Sequence, residues 1–289
     1  MSNSYTPPKV WKWDSESGGR FASINRPIAG PTHDKELPVG KHPLQLYSLA
    51  TPNGVKVTVM LEELGVPYET IFVDIGKGDQ WTPAFEAVSP HHQIPAIRDP
   101  EGPGGEPIAI AESGAILMYL GRKFGRFYPQ DDERRRVAVE QWLMFQMGGI
   151  GPMFGQYGFF AVFGGKDIED PRPRERYRAE SKRLLNVLEG RLKGRQFLMG
   201  EDYTIADIAT YPWYGNVVLN NQYDAAEFLD VGTYKNVIRW AEQIDAREPV
   251  KRGRTVNAAG GPEDEHLYER HSAADVDKVV ALRKERGTV

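Results

Sequence analysis

The sequence predicts an α/β module followed by an all-α one, and three observations carry that expectation. Between residues 44 and 125, hydrophobic patterns of period 2 and period 3.6 alternate in the order β-α-β-α-β-β-α. From Glu133 onward no segment reads as a strand. At Thr51, Pro52, Asn53 and Gly54 a strand runs directly into a helix N-terminus. The order suggests a four-stranded mixed sheet with helices on both faces.

Residues 44–49 alternate apolar and polar, the pattern of a half-buried strand. After the turn, Val57, Met60, Leu61 and Leu64 fall at i, i+3, i+4 and i+7, one face of a helix. Thr51 is a good N-cap, and Pro52 stands where a helix tolerates proline. Such a terminus offers unpaired N–H donors and a partial positive charge, a place to hold an anion. Residues 68–75 are β-branched and aromatic, and predict a second strand. Residues 76–80 read as a loop and 82–88 as a short helix. A strand over 94–99 is broken at its start by Pro95; the chain turns through 100–106 and pairs back through 107–111. Glu112 and Ser113 then open a helix with Ile116, Leu117, Leu120 and Phe124 inside.

Residues 125–132 form a linker, dividing a module over 44–125 from an all-helical one over 133–255. A helix over 137–147 is broken or kinked by the glycines and proline of 148–152, and 153–165 is aromatic and glycine-rich. A helix over 174–192 buries Leu185, Leu188 and Leu192 and stops at Gly194. Another starts within 203–212, and 233–246 is the last regular helix of the body. A charged tail, 256–289, holds a helix over 273–286. Ahead of the body, residues 1–43 are rich in Pro, Gly, Ser and Lys. Trp11, Trp13, Phe21 and Ile24 are large anchors there and predict an ordered arm over the body.

With 289 residues, 40 % of them hydrophobic, the chain can build sizeable cores. A net charge of -4 gives no general reason to expect nucleic acid or an acidic membrane as partner. No apolar run approaches a membrane span, and residues 1–14 do not resemble a secretory signal, so a cytoplasmic protein is expected. The absence of cysteine excludes disulfides, thiolate metal sites and a protein-borne thiol nucleophile. The six histidines form no HExxH pattern, and no metal site is expected.

Local motifs then point to a family. Gln93, Ile94 and Pro95 resemble the loop whose cis-proline precedes the third strand in the glutathione transferase superfamily. Glu112 and Ser113 resemble its acidic-serine pair at a helix start, and Thr204 to Asp207 its N-capping box. Thr51, Pro52, Asn53 and Gly54, with Asn25, Arg26 and Pro27 in the arm, resemble the bacterial nu-class, disulfide-bond oxidoreductase-like branch. So do residues 223–229 and 250–254. The resemblance implies a thioredoxin-like domain followed by the helical C-terminal domain of that superfamily. It further implies a homodimer, two glutathione molecules per active site, and reduction of disulfides.

A chain without cysteine does thiol chemistry only with a borrowed thiol, and glutathione supplies one. Moving a thiol pKa from ~8.5 to about 6.5 needs about 2.7 kcal/mol of differential stabilisation. A helix N-terminus contributes roughly 0.3–2 kcal/mol, and a hydrogen bond to a charged acceptor roughly 1.5–3 kcal/mol. One donor at the turn therefore suffices. By resemblance and position, Thr51 and Asn53 are the expected thiolate donors. Thr51 as a plain helix cap, and Tyr47 or Ser48 as donors instead, are the alternatives. Ile94 would pair its backbone with the cysteinyl portion, and Gln93 would bond the glycyl end. Ser113 suits the γ-glutamyl carboxylate and Glu112 the ammonium. Asn25 and Arg26 would close the site from the arm, while Gln146 and Arg176 look like the contacts to the second glutathione. Thr204 and Asp207 are structural caps. The expected reaction is thiol–disulfide exchange between glutathione and a small disulfide. One rival is conjugation to an electrophile lodged against Tyr157, Phe159, Phe160 and Phe163; the other is a non-enzymatic binding protein.

Overall fold

The structure, a computed structural model, describes residues 6, 8–12 and 26–287. Strands β1 (Gln45–Ser48), β2 (Glu69–Phe72), β3 (Ala96–Asp99) and β4 (Ile108–Ala111) form one sheet in the order β2-β1-β3-β4. β1 pairs parallel with β2 and antiparallel with β3, and β3 pairs antiparallel with β4, so the sheet is mixed, as expected. Helix α1 (Pro52–Leu64) connects β1 to β2, α2 (Pro83–Glu86) lies between β2 and β3, and α3 (Ser113–Phe124) follows β4.

The rest is helical: α4 (Glu133–Phe145), α5 (Gly151–Ala161), α6 (Arg172–Leu192), α7 (Ile205–Thr210), the single turn α8 (Asn216–Val218), α9 (Lys235–Asp245), α10 (Glu248–Thr255) and α11 (Ala273–Arg286). Two corrections to the expected elements share a cause. Residues 148–152 do not break the chain of helices: a π-turn at Gln146–Ile150 carries α4 into α5. Gly158 of α5 is a close-approach position, since a Cβ there would lie 2.6 Å from the Tyr223 ring. The other missed helix is α10. Pro249 lies in its first turn, where it is tolerated, and a Cβ on Gly253 would lie 2.6 Å from Val59 Cα. α10 thus rests its backbone on α1, and the Gly253 carbonyl accepts the Thr58 hydroxyl at 2.7 Å.

The main core runs through both halves of the molecule. Val57, Met60 and Leu61 of α1 and Ile116, Leu117 and Leu120 of α3 belong to one buried cluster with Leu143, Leu184, Leu188, Ile208 and Trp240. The Thr204 capping box forms as expected, and buried Asp207 accepts further bonds from Leu198 N–H and Trp240 Nε1–H. Burial outweighs these donors and pushes the Asp207 carboxyl up to about 6.

The tail folds back on the sheet. Thr70 and Arg270 exchange backbone hydrogen bonds at 2.8 and 3.2 Å along the outer edge of β2. Glu62 receives Arg252 at 2.7 Å and Arg270 at 3.2 Å, and Val256, Leu267, Val276, Val279 and Val280 make a separate apolar cluster beneath α11. At the other end, the arm from Arg26 onward lies against the sheet module: Thr32 N–H bonds Trp81 O at 2.9 Å and Lys35 pairs with Asp79 at 2.6 Å. Of the expected arm anchors, Trp11 is 63 % exposed and packs little; Trp13, Phe21 and Ile24 lie outside the described residues.

Candidate active site

The turn after β1 is built from its own residues. Thr51 has an extended backbone, and its Oγ1 accepts the Gly54 N–H at 3.2 Å, capping α1. That bond uses an oxygen lone pair, so the hydroxyl proton is left to donate elsewhere. No acidic residue stands in the first turn of α1, so its N–H groups keep their attraction for an anion. A Cβ on Gly54 would sit 2.0 Å from the Leu49 carbonyl, and only glycine allows this tight entry.

Asn53 is held from the helical module. Trp213 Nε1–H donates to Asn53 Oδ1 at 3.1 Å. An indole N–H donates only, so the accepting atom is the amide oxygen and the NH2 group is turned to donate elsewhere. Trp213→Phe keeps an aromatic ring but removes that bond and part of a buried core side chain. It should lower turnover roughly 3- to 12-fold, the value of one neutral hydrogen bond, and the cavity left behind should lower the unfolding midpoint as well.

Thr51 and Asn53 open on a cleft of about 1000 Å³ between the two halves. Its sheet-side wall includes Ile75, Trp81, His91, Gln93 and Ile94; its helical wall includes Gly155, Phe159, Phe163, Trp213 and Tyr223. Gln93 is exposed in the cleft, and its backbone is clasped by Ser89, whose hydroxyl bonds both Gln93 O and Gln93 N–H. The Ile94–Pro95 bond is cis, and Ile94 precedes the ladder, which begins at Ala96. Glu112 adopts φ 70° and ψ 111° and reaches His91 Nε2 at 3.3 Å on the cleft rim. Ser113 is the first residue of α3 and is almost fully buried. Arg26 stacks on the Trp81 ring, 3.7 Å from its centroid, and so brings the arm to the same rim.

Several expectations need correction. Gln146 does not line the cleft: it is wholly buried in the π-turn, where its Oε1 accepts Lys56 Nζ at 2.5 Å. Arg176 is exposed on α6, whose buried stripe of Ser181, Leu184, Leu185, Leu188 and Leu192 excludes it from the cleft lining. Asn25 lies outside the described residues. Tyr47 and Ser48 are removed as thiolate donors: both are fully buried, with Tyr47 bonding Pro38 O and Ser48 bonding Leu49 O. Of the expected aromatic wall, Phe159 and Phe163 face the cleft; Tyr157 stacks on Phe154, and Phe160 on Tyr177. Sequence reasoning missed Trp213, His91 and Lys56. Trp213 carries no local signal, because its partner is 160 residues away.

Family models agree with this geometry. Residues 51–123 match the glutathione S-transferase N-terminal domain, and 152–248 match its C-terminal domain. The chain belongs to the glutathione S-transferase family. Its fold is thus the thioredoxin-like sheet domain and helical C-terminal domain of that family. Within the family, it is 50 % identical over 281 residues to the disulfide-bond oxidoreductase YghU of Escherichia coli K12, covering 95 % of this chain and 96 % of that one. A Pseudomonas fluorescens transferase solved with two glutathione bound is 55 % identical, with TM-score 0.70, over 73 % of this chain and 92 % of that one. A Pseudomonas putida transferase, solved with one glutathione disulfide per subunit, is 51 % identical, with TM-score 0.71, over 74 % and 92 % of the respective chains.

Proposed function

We propose that this transferase-family chain reduces small disulfides with glutathione, holding two glutathiones in the cleft. The observation that carries the reading is the pair of donors, Thr51 and Asn53, at an uncompensated helix N-terminus in a chain without cysteine. A thiolate there needs no general base. It attacks one sulfur of the disulfide, forming a mixed disulfide and expelling the other sulfur as a thiolate, which takes a proton from solvent. A second glutathione thiolate attacks the glutathione sulfur of that mixed disulfide. Glutathione disulfide forms, and the second substrate thiolate leaves. Two electrons pass from two glutathiones to one disulfide, and the protein is unchanged.

The relatives solved with two glutathiones and with glutathione disulfide support this reading. Ser113 and Glu112 are assigned to the γ-glutamyl end, Ile94 to the cysteinyl backbone and Gln93 to the glycyl end. We read residues 44–125 as the glutathione-binding unit and 133–255 as the unit that closes the cleft. A homodimer is also proposed. Val137 and Met144, about two helical turns apart on α4, are 52 % and 51 % exposed and suit a face shared by two copies.

Phe159 and Phe163 beside the cleft favour, as a second reading, conjugation to an aromatic electrophile. Turnover on a small dialkyl disulfide and on an aryl halide, at the same glutathione concentration, separates the two. Faster turnover on the disulfide is expected, with two tripeptides per subunit in crystals grown with glutathione. A single tripeptide and preference for the halide would assign conjugation instead.

A further inference from the structure

Lys56 is a buried cation that the exchange reaction does not use. It leaves α1 toward the start of α3 and ends 1 % exposed, with Nζ 3.2 Å from Ser113 Oγ, 2.5 Å from Gln146 Oε1 and 3.4 Å from Met147 Sδ. Among the described residues, none of these partners is a carboxylate. Among the described residues, the Ser113 hydroxyl has only the Met147 thioether, at 3.7 Å, as its own acceptor, and buried Gln146 Nε2 has no hydrogen-bond partner. The cluster therefore holds a surplus of donors directly behind the first N–H groups of α3.

We propose that Lys56 is the counter-cation of the carboxylate that docks at Ser113, and that it takes up a proton when that carboxylate arrives. This rests on the glutathione reading above and deepens it. Burial drives the Lys56 ammonium down to about 7, and Glu112 alone is close enough to oppose that shift. Most of the other charged or titratable groups on elements packed against α1 are engaged elsewhere. Asp207 of α7 is held by Leu198, Thr204 and Trp240. In the π-turn after α7, Tyr211 bonds Asp245 and Tyr214 bonds Ser181 O. On α10, Arg252 and Arg254 pair with Glu62 and Asp245. At the far end of α3, Tyr119 and Lys123 share Asp99. An anion at Ser113 adds an attraction that the empty site lacks, and raises the proton affinity of Lys56.

The sign follows. The bound state holds more proton than the empty one above pH 7, so affinity is greatest below that pH and falls as pH rises, by up to about tenfold per unit for one proton. Lys56 acts through Ser113 and is a positioning residue. The probe is S-methylglutathione, which keeps both carboxylates and lacks an ionisable thiol. Calorimetric titration of the full chain at pH 8, in buffers of low and high ionisation enthalpy, should show net uptake of more than half a proton per carboxylate docked. Lys56→Met should weaken binding tenfold or more and abolish the uptake. Lys56→Arg, which stays charged, should bind without uptake and with a flat pH profile.

Binding heat that does not depend on buffer in the wild type would overturn the inference while leaving the glutathione reading intact. Uptake that persists in Lys56→Met, assigning the proton to His91 on the rim, would also overturn it. No binding heat at all would remove the glutathione reading itself. Where Lys56→Met fails to fold, Lys56→Arg makes the same distinction: uptake that persists in it assigns the proton elsewhere and overturns the inference.

Discussion

Thr51→Val should lower disulfide turnover by roughly 10- to 150-fold, the equivalent of a charge-assisted hydrogen bond worth about 1.5–3 kcal/mol. The same loss should appear as a rise of about one to two units in the pKa of bound glutathione, read from thiolate ultraviolet absorbance. Valine keeps the shape and removes the proton donor. It also removes the cap to Gly54 N–H, costing about 0.5–2 kcal/mol of stability, so a second substitution must separate the roles. Thr51→Asp is a good cap and offers no proton when ionised. If Thr51 serves only α1, the valine variant keeps the wild-type thiolate pKa, and the aspartate variant disturbs activity only through its charge. If Thr51 donates to a thiolate, the aspartate variant is worse than valine, because a second negative charge joins the site. Thr51→Ser should be close to wild type on both measures.

Gly253→Val should destabilise the whole molecule by at least about 3 kcal/mol in urea unfolding. Its Cβ would meet Val59 Cα at 2.6 Å and Val59 N at 2.7 Å, which are backbone atoms that cannot swing aside. Overpacking of this kind costs about 1–3 kcal/mol even where the surroundings yield. Here relief means lifting α10 from α1, which breaks the buried Thr58–Gly253 bond and pulls Arg252 from Glu62. A buried carboxylate that loses its partner costs about 3–5 kcal/mol, although Arg270 would still hold part of the Glu62 charge. Gly190→Ala on α6 is the control. Nothing lies within 4 Å of its Cβ position, so the change should be neutral or stabilising by up to ~1 kcal/mol. A Gly253 variant as stable as that control would mean that α10 is not seated on α1 as described.

The sheet module was legible because its signals are local. Alternation in β1, the i, i+3, i+4 face of α1 and the cap at Thr51 each depend on neighbours within a turn or two. The helical module was less so where glycine carries a tertiary meaning. Gly158 and Gly253 look like breakers in the sequence, yet each lies inside a helix because another side chain or backbone needs the space. The same division runs through the site. Thr51, Asn53, Gln93 and Ile94 stand on turns with strong local signatures, and all border the cleft. Trp213 and Lys56 act through partners remote in sequence, and Lys56 on an amphipathic helix reads as solvent-facing. Its burial is decided by α3 and the π-turn, which no window around residue 56 contains. Gln146 and Arg176 were expected from motif likeness, and their side-chain directions depend on the same long-range packing.

The rung between Thr70 and Arg270 has a consequence for the protein in a crowded solution. β2 is a rim of the sheet, and an open rim is a template on which a stranger's extended segment can polymerise. The returning tail occupies that template, with the Arg270 guanidinium lying 3.7 Å above the Tyr68 ring and His271 gripping Glu69. Proteolytic trimming near residue 256 would therefore do more than shorten the chain. It would bare an adhesive margin, and the clipped molecules should precipitate or form fibres well before the remaining body melts.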